Sequence, residues 1–331
     1  MPNEEAMFKD VTSKAAFPLI GATILSPMAP SMCGRVLYRE TVRSEMVVST
    51  TWLENHLKDR DLIVLQVGRD RGQFDSGHIP GSRFVRLDEL VEQRADSLNE
   101  LPSIADLQET FAALGVGERS RVVLVDDMGG VLAARAYFTL DYLGRGDKAA
   151  LLNGGLKAWI RESRSLSKEQ PAVTRAEFTP RINRDVLVST AGMRGLSQAA
   201  SEGASAFVLL DARPMAEHTG LVYSESIPEA GHIAGSQSLY WKNLIRSDTD
   251  PQLLDVEELR RQFENAGATS GTSVITYCRT GMQSSFTYFV AKYLGYRAAM
   301  YDGSVYEWVR TPGNALVRSP APDRAITADH Q

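Results

Sequence analysis

The sequence of 331 residues is poor in cysteine, has no excess of basic residues and contains no long hydrophobic run. Its two cysteines, Cys33 and Cys278, are too few for a disulfide framework or a cysteine-rich zinc site. With 36 Lys and Arg against 41 Asp and Glu, the formal charge of −5 argues against a nucleic-acid partner. No segment reaches the roughly 18 apolar residues of a membrane-spanning helix. The composition is that of a globular protein long enough for two domains.

The N-terminal segment 1–45 precedes the first regular pattern and gives little sign of an export signal. Its apolar stretch 15–25 follows Glu4, Glu5 and Asp10, whereas secretory signals have a positively charged leader. We therefore expect a cytoplasmic protein, with export to the periplasm as the alternative, and neither a membrane nor a nucleic-acid partner.

The rest of the chain is an internal duplication, because six short motifs occur twice in the same order. The pairs are 47–50 and 187–190, 63–65 and 207–210, 77–82 and 231–236, 122–125 and 274–277, 142–144 and 293–295, and 153–155 and 302–304. Six matches in one order indicate two similar domains.

Each copy alternates short β-branched runs with segments of helical period. Residues 63–67 and 122–125 are continuous apolar runs, typical of strands buried on both faces. Segments 104–114 and 132–143 have helical spacing, and Gly144 follows the second as a helix-terminating residue. This alternation predicts an α/β fold with two domains, each a mostly parallel sheet with helices on both faces. The predicted bounds are an extension 1–45, domain 1 at 46–163, a linker 164–185, domain 2 at 186–318 and a tail 319–331.

In the second copy, Cys278 lies between an apolar run and a helical pattern. A lone cysteine is often an inert buried residue, so its context decides its role. A strand–loop–helix junction puts Cys278 at the carboxyl end of a parallel strand, where open α/β sheets form ligand sites. Loop amides, the positive end of the following helix and the charge of Arg279 would all favour thiolate over thiol. Gly281 suits a loop that curls closely around a sulfur atom.

The first copy lacks a cysteine at the matching place, where we identify Asp127 as the equivalent residue. A nucleophile in one copy and a carboxylate in the other indicate one working site. We expect Asp127 to accept hydrogen bonds from its own loop and from the next helix start.

These motifs resemble those of the rhodanese family. The loop Cys278-Arg279-Thr280-Gly281-Met282-Gln283-Ser284 is similar to the family's active-site loop, and the segments 77–82 and 231–236 resemble its domain signature. A non-catalytic first domain and a catalytic second domain resemble the tandem thiosulfate and 3-mercaptopyruvate sulfurtransferases. The likeness extends from about residue 46 to residue 318.

The resemblance implies a sulfurtransferase that works by covalent catalysis. The Cys278 thiolate would take a sulfane sulfur from a small donor and pass it to cyanide, a small thiol or an acceptor protein. The persulfide would lie among the backbone amides of the substrate-binding residues Arg279, Thr280, Gly281, Met282, Gln283 and Ser284. Neither a metal nor an organic cofactor is implied.

The identity of the donor stays open between two classes. Arg279 resembles the cationic loop residues of thiosulfate enzymes, which makes thiosulfate the favoured donor. Thr280 instead offers a hydroxyl like the serine of mercaptopyruvate enzymes, which is thought to act with a histidine and an aspartate. His78 occupies the matching histidine place, but Val67 stands where that aspartate would be. Glu217 appears where the family has a substrate-binding arginine.

Four aromatic residues recur in both copies and are expected to serve the fold. His78 and His232 occupy matching places, which favours a shared hydrogen bond to a neighbouring loop over catalysis. Trp159 and Trp308 match in the same way and are expected to be packing residues.

Three other functions are possible. A cysteine phosphatase requires an arginine six residues after the cysteine, where this chain has Ser284. A rhodanese-like binding module would be expected to have lost its cysteine or its loop, and both are intact here. A sulfur relay to a protein thiol remains compatible with Glu217.

Overall fold

The computed structural model describes residues 41–223 and 226–318. Most of the extension, including Cys33, and the tail 319–331 lie outside the described residues. The described ranges contain two five-stranded sheets, in which every strand pairing is parallel. Within these ranges no helix is both long enough and apolar enough to cross a bilayer.

The first sheet has the strand order β1-β5-β4-β2-β3. Its strands are β1 Val47–Val48, β2 Leu62–Gly68, β3 Arg83–Arg86, β4 Arg121–Val125 and β5 Ala149–Leu152. The accompanying helices are α1 Thr50–His56, α2 Gly72–Ser76, α3 Ile104–Ala113, α4 Val131–Tyr142 and α5 Gly155–Arg161.

The second sheet repeats this arrangement in the order β6-β10-β9-β7-β8. Its strands are β6 Leu187–Val188, β7 Phe207–Asp211, β8 Gln237–Ser238, β9 Ser273–Tyr277 and β10 Ala298–Tyr301. Its helices are α6 Thr190–Ser201, α7 Met215–His218, α8 Val256–Asn265, α9 Met282–Tyr293 and α10 Ser304–Trp308. The expected fold, two domains each with a parallel sheet between helices, is confirmed.

The repeated sequence motifs produce repeated local structure. Ser49 caps α1 by accepting a hydrogen bond from the amide of Trp52, and Ser189 caps α6 by accepting one from Gly192. Strands β2 and β4 are buried along most of their length, which explains their continuous apolar runs.

The hydrophobic core has three parts, and the largest of them joins the two domains. One smaller cluster lies on the outer face of each sheet, and the third includes residues of both domains around α4 and α9. Every residue of α4 is buried. Across this contact Phe138 packs edge-on against Tyr288, whose hydroxyl donates a 2.5 Å hydrogen bond to Asp141. The domains are therefore joined by a core that excludes water from the helices following both central strands.

Candidate active site

Cys278 follows the central strand β9 directly and lies four residues before the first residue of α9. Gly281 ends the loop in the left-handed region, with φ of 80°, and contributes no side-chain cap to α9. The first amides of an α-helix have no partner within the helix. Those of Met282, Gln283 and Ser284 are therefore available to an anion at the positive end of α9.

The Cys278 side chain is almost completely covered, at 1% exposure. The Ser284 hydroxyl lies 3.5 Å from Sγ as a hydrogen-bond donor. Met282 is also buried, whereas Arg279, Thr280 and Gln283 are partly exposed. A donor can therefore reach the sulfur only after a local rearrangement that exposes it.

Ser304, the first residue of α10, is hydrogen-bonded to the Cys278 loop. Its Oγ accepts hydrogen bonds from the amides of Cys278 and Gly281, each at 3.1 Å. Two of the loop amides thus donate to Ser304. One of them, the amide of Gly281, was expected from the sequence to bind the persulfide and is bonded to Ser304 instead. Ser304 adopts a positive φ of 54°, which is unusual for a residue with a side chain.

The first domain has a carboxylate at the place of Cys278, but it is Asp126 and not Asp127. Arg121 opposes Leu62 as Ser273 opposes Phe207, so Asp126 and Cys278 both come directly after the matched strands. The carbonyl of each accepts a hydrogen bond from the helix after the next strand, at 2.9 Å for Asp126 and 3.1 Å for Cys278. The sequence alignment was one residue off because the first loop is one residue longer.

The Asp126 carboxylate shows what such a loop can bind. Its two oxygens accept four backbone hydrogen bonds of 2.7–3.0 Å, from the amides of Met128, Gly130, Leu132 and Ala133. Burial raises the pKa of Asp126, and these four bonds act in the opposite direction. The first domain thus surrounds a carboxylate with amides at the helix N-terminus, the role expected of Asp127.

Arg279 does not present a free charge to the site. Its guanidinium makes a two-pronged contact with Glu217, with Nε 2.8 Å from Oε2. The Glu217 side chain is 7% exposed and that of Arg279 is 38% exposed. Glu217 therefore neutralises the loop's own cation.

Sequence reasoning missed Asn99, which reaches the loop from the first domain. Asn99 Nδ2 donates to the Thr280 hydroxyl oxygen at 3.0 Å and lies 3.3 Å from the Thr280 carbonyl. Arg135, at 0% exposure, donates to the Asn99 carbonyl and forms a buried ion pair with Asp302. No sequence pattern marks this contact, because the partners are 181 residues apart.

Glu100 lies beside this cluster. Burial and the nearby Asp302 carboxylate raise the pKa of Glu100 to about 8, against the opposing effect of Arg135. Its Oε1 is buried without a hydrogen-bond partner in the described part of the chain. The interface between the domains thus contains a carboxyl group that titrates near neutral pH.

The two signature histidines serve the fold, as expected. His78 has its ring nitrogens 2.9 and 3.0 Å from the carbonyl oxygens of Phe74 and Glu169, and His232 Nδ1 lies 2.7 Å from the carbonyl of His218. His78 also forms an isolated backbone bridge to Ser167 of the linker, and His232 forms one to Val317 near the end of domain 2. His78 is thus engaged by α2 and the linker, and the Thr280 hydroxyl contacts Asn99.

The two repeated tryptophans are buried and hydrogen-bonded in the same way. Trp159 Nε1 donates to the Ser165 carbonyl at 2.9 Å, and Trp308 Nε1 donates to the Ala315 carbonyl at 3.0 Å. Both side chains pack in the outer-face clusters. In residues 41–223 and 226–318, no group of three or more His, Cys, Asp or Glu side chains is arranged to hold a metal ion.

Known proteins are similar to this chain over both of its domains. The sequence model of the Rhodanese-like domain matches residues 49–162 and 195–311, so the chain belongs to the rhodanese family as a tandem of two such domains. The resemblance found in the sequence is confirmed.

The relatives are similar over most of their length. The chain is 32% identical over 274 residues to a thiosulfate sulfurtransferase of Pseudomonas aeruginosa, covering 81% of this chain and 95% of that one. It is 31% identical over 283 residues to the sulfur carrier protein TtuD of Thermus thermophilus, covering 83% and 97%. A probable 3-mercaptopyruvate sulfurtransferase of P. aeruginosa is 29% identical over 285 residues, covering 81% and 96%.

Solved structures share the fold at lower identity. The crystal structure of YnjE has a TM-score of 0.73 at 21% identity, covering 84% of this chain and 69% of that one. The anaerobic ergothioneine biosynthesis enzyme of Chlorobium limicola, in complex with trimethyl histidine, has a TM-score of 0.72 at 23% identity, covering 83% and 70%.

Proposed function

We propose that this chain is a sulfurtransferase that carries sulfane sulfur as a persulfide on Cys278. The observation that supports this most is the equivalence of Cys278 and Asp126. In the first domain that position is surrounded by four amides that bind a carboxylate. A thiolate or a persulfide anion at the same position of the second domain can accept from the first amides of α9, although the Gly281 amide, the counterpart of Gly130, is bonded to Ser304 instead. The substrate-binding role of residues 279–284 belongs to this proposal.

The transfer proceeds in two displacement steps. The Cys278 thiolate attacks the outer sulfur of thiosulfate, and an S–S bond forms to Sγ. The S–S bond of thiosulfate breaks, and its electron pair leaves with sulfite. The persulfide anion then loses its outer sulfur to a nucleophile such as cyanide or a thiolate, which regenerates the Cys278 thiolate. Charge and sulfur balance in both steps, and no metal or organic cofactor takes part.

Thiosulfate remains the favoured donor, with 3-mercaptopyruvate as the alternative. The relatives include proteins named for each of these two donors. The contact between Arg279 and Glu217 reduces the positive charge available to a dianion and thus weakens the argument for thiosulfate that the sequence made. If the Glu217 ion pair keeps Arg279 from the donor, Glu217→Gln will lower the KM for thiosulfate more than that for 3-mercaptopyruvate.

A cysteine of an acceptor protein is a second candidate for the sulfur's destination. The relative named a sulfur carrier protein favours this alternative to cyanide or a small thiol. We keep the cytoplasm as the predicted compartment, with periplasmic export as the alternative, and subcellular fractionation distinguishes them.

Replacement of the nucleophile tests the mechanism. The purified protein is incubated with each donor, and the intact mass is measured before and after addition of cyanide. The wild type should gain the mass of one sulfur atom and lose it again. Cys278→Ser should gain none while keeping the wild-type circular dichroism spectrum, since the change opens no large cavity. Cys33→Ser is the matched control and should load normally. Sulfur loading or turnover by Cys278→Ser would exclude the persulfide mechanism, and a wild type that no donor loads would favour a binding module.

A further inference from the structure

The hydrogen bond from Asn99 to Thr280 leaves one hydrogen of the active-site loop without an assigned acceptor. The Thr280 Oγ1 accepts from Asn99 Nδ2 at 3.0 Å, so the hydroxyl hydrogen itself remains available for donation. Thr280 is partly exposed and lies two residues after Cys278. We propose that Asn99 is a positioning residue of the first domain, which orients the Thr280 hydroxyl as a hydrogen-bond donor to the sulfur being transferred.

Hydrogen bonds fix the Asn99 side-chain amide at both Oδ1 and Nδ2, and Gln93 also binds the Asn99 backbone. Gln93 Nε2 donates to Asn99 Oδ1 at 3.0 Å, and the backbone amide of Asn99 donates to Gln93 Oε1 at 3.3 Å. With Oδ1 engaged in this way, Nδ2 is directed at Thr280. The amide therefore has one orientation that satisfies both partners.

The backbone of Asn99 is also constrained. Its φ of 59° lies in the left-handed region, which asparagine tolerates better than most residues with a side chain. The Asn99 carbonyl accepts a hydrogen bond from Arg135 at 2.5 Å, and Arg135 is fixed by its buried ion pair with Asp302. Asp302 directly precedes Gly303 and Ser304, and the Ser304 hydroxyl binds the amides of Cys278 and Gly281. Asn99 and the catalytic loop are thus anchored to the same buried pair.

This role would give the first domain a part in the reaction of the second. A donor hydroxyl near the nucleophile lowers the barrier only if its hydrogen points at the charge that develops on sulfur. An aspartate in place of Asn99 has nearly the same shape but only accepts hydrogen bonds. It would draw the Thr280 hydrogen towards itself and away from the substrate.

The inference rests on the proposed persulfide mechanism, and single-turnover loading of Cys278 tests it. The rate and the half-saturating concentration are measured for the donor that loads the wild type best. Asn99→Asp should lower the maximal loading rate about 10- to 100-fold, with the half-saturating concentration within about twofold of wild type, because the lost contact acts in the transition state. Asn99→Gly, which removes the amide and suits the positive φ, should behave in the same way.

A double-mutant cycle separates positioning from general stabilisation. Thr280→Val should lower the rate as much as Asn99→Asp, and the two changes together should cost no more than either alone. Thr280→Ser keeps the hydroxyl and should recover most of the rate that Thr280→Val loses. Asn153→Ala is the matched control, because Asn153 Oδ1 also accepts a hydrogen bond across the domain interface, from Leu253 at 2.9 Å, away from the loop.

Wild-type loading by both Asn99→Asp and Asn99→Gly would overturn the inference. Multiplicative effects of Asn99→Asp and Thr280→Val would overturn it as well, and so would an equal loss in Asn153→Ala. In those cases the persulfide mechanism still stands, because the wild type loads. A wild type that no donor loads refutes the proposed function, and the role of Asn99 falls with it.

Discussion

Removing Arg135 should destabilise the protein strongly, because it leaves a buried charge without a partner. Arg135 and Asp302 are 0% and 2% exposed in their side chains, and Arg135 also donates to the Asn99 carbonyl. Breaking a buried ion pair from one side costs about 3–5 kcal/mol. Arg135 Nε already lacks a hydrogen-bond partner in the described residues, so the native pair is not fully satisfied. We therefore expect Arg135→Met to lower the free energy of unfolding by about 3–4 kcal/mol.

Urea unfolding at pH 7, followed by tryptophan fluorescence and far-UV circular dichroism, measures this loss. Adding Asp302→Asn to Arg135→Met removes the orphaned charge and should recover most of it. Arg86→Met is the matched control, since the pair between Arg86 and Asp88 is more than half exposed in both side chains and should change stability by about 0.5 kcal/mol or less. A loss below about 1 kcal/mol in Arg135→Met, or no recovery in the double variant, would refute the reasoning.

Three further variants test the loop and the interface. The neutral form of Glu100 stabilises the fold fully below its ordinary pKa of 4.5, and this contribution is lost as pH rises through about 8. Glu100→Gln should therefore raise the melting temperature most at pH 8–9. An equal change at pH 5 would contradict this. Gly281→Ala should cost about 2–4 kcal/mol of stability, because its Cβ would collide with Asp302 at a φ of 80°, and unfolding at the wild-type midpoint would disprove the clash. Ser304→Gly copies Gly155 of the first domain and suits the positive φ, but it leaves the amides of Cys278 and Gly281 without their acceptor. It should therefore lower sulfur loading about tenfold, and normal loading would argue against a role for Ser304 in shaping the loop.

The sequence predicted the position of Cys278 because that position depends on local patterns. A β-branched run, a glycine in the left-handed region and a helical repeat follow one another within 20 residues of chain, and strand, loop and helix form as those patterns require. The duplication strengthened the prediction, since a motif that occurs twice reveals the element it serves. His78 and His232 were interpreted correctly for this reason.

Contacts between distant parts of the chain were not predictable in the same way. The partner of Thr280 comes from the other domain, and its identity depends on how the sheets pack. The pairing of Arg279 with Glu217 spans 62 residues, and only the replacement of an arginine was visible in the sequence. The near-complete burial of Cys278 likewise has no marker in the sequence. The error at Asp127 had a local cause, because the first loop is longer by one residue: counting back from the helix gives Asp127, whereas the strand motif 122–125 matched with 274–277 gives Asp126.

The carboxylate of Asp126 limits the capacity of the molecule. Amide donors that already bind a covalently attached carboxylate cannot exchange it, so these amides of the first domain are not available to an anion from solution. The duplication has consequently not provided a second position for a transferred sulfur atom. Under the proposed mechanism each chain would carry one sulfur atom at a time, and transfer between two like sites would need two chains.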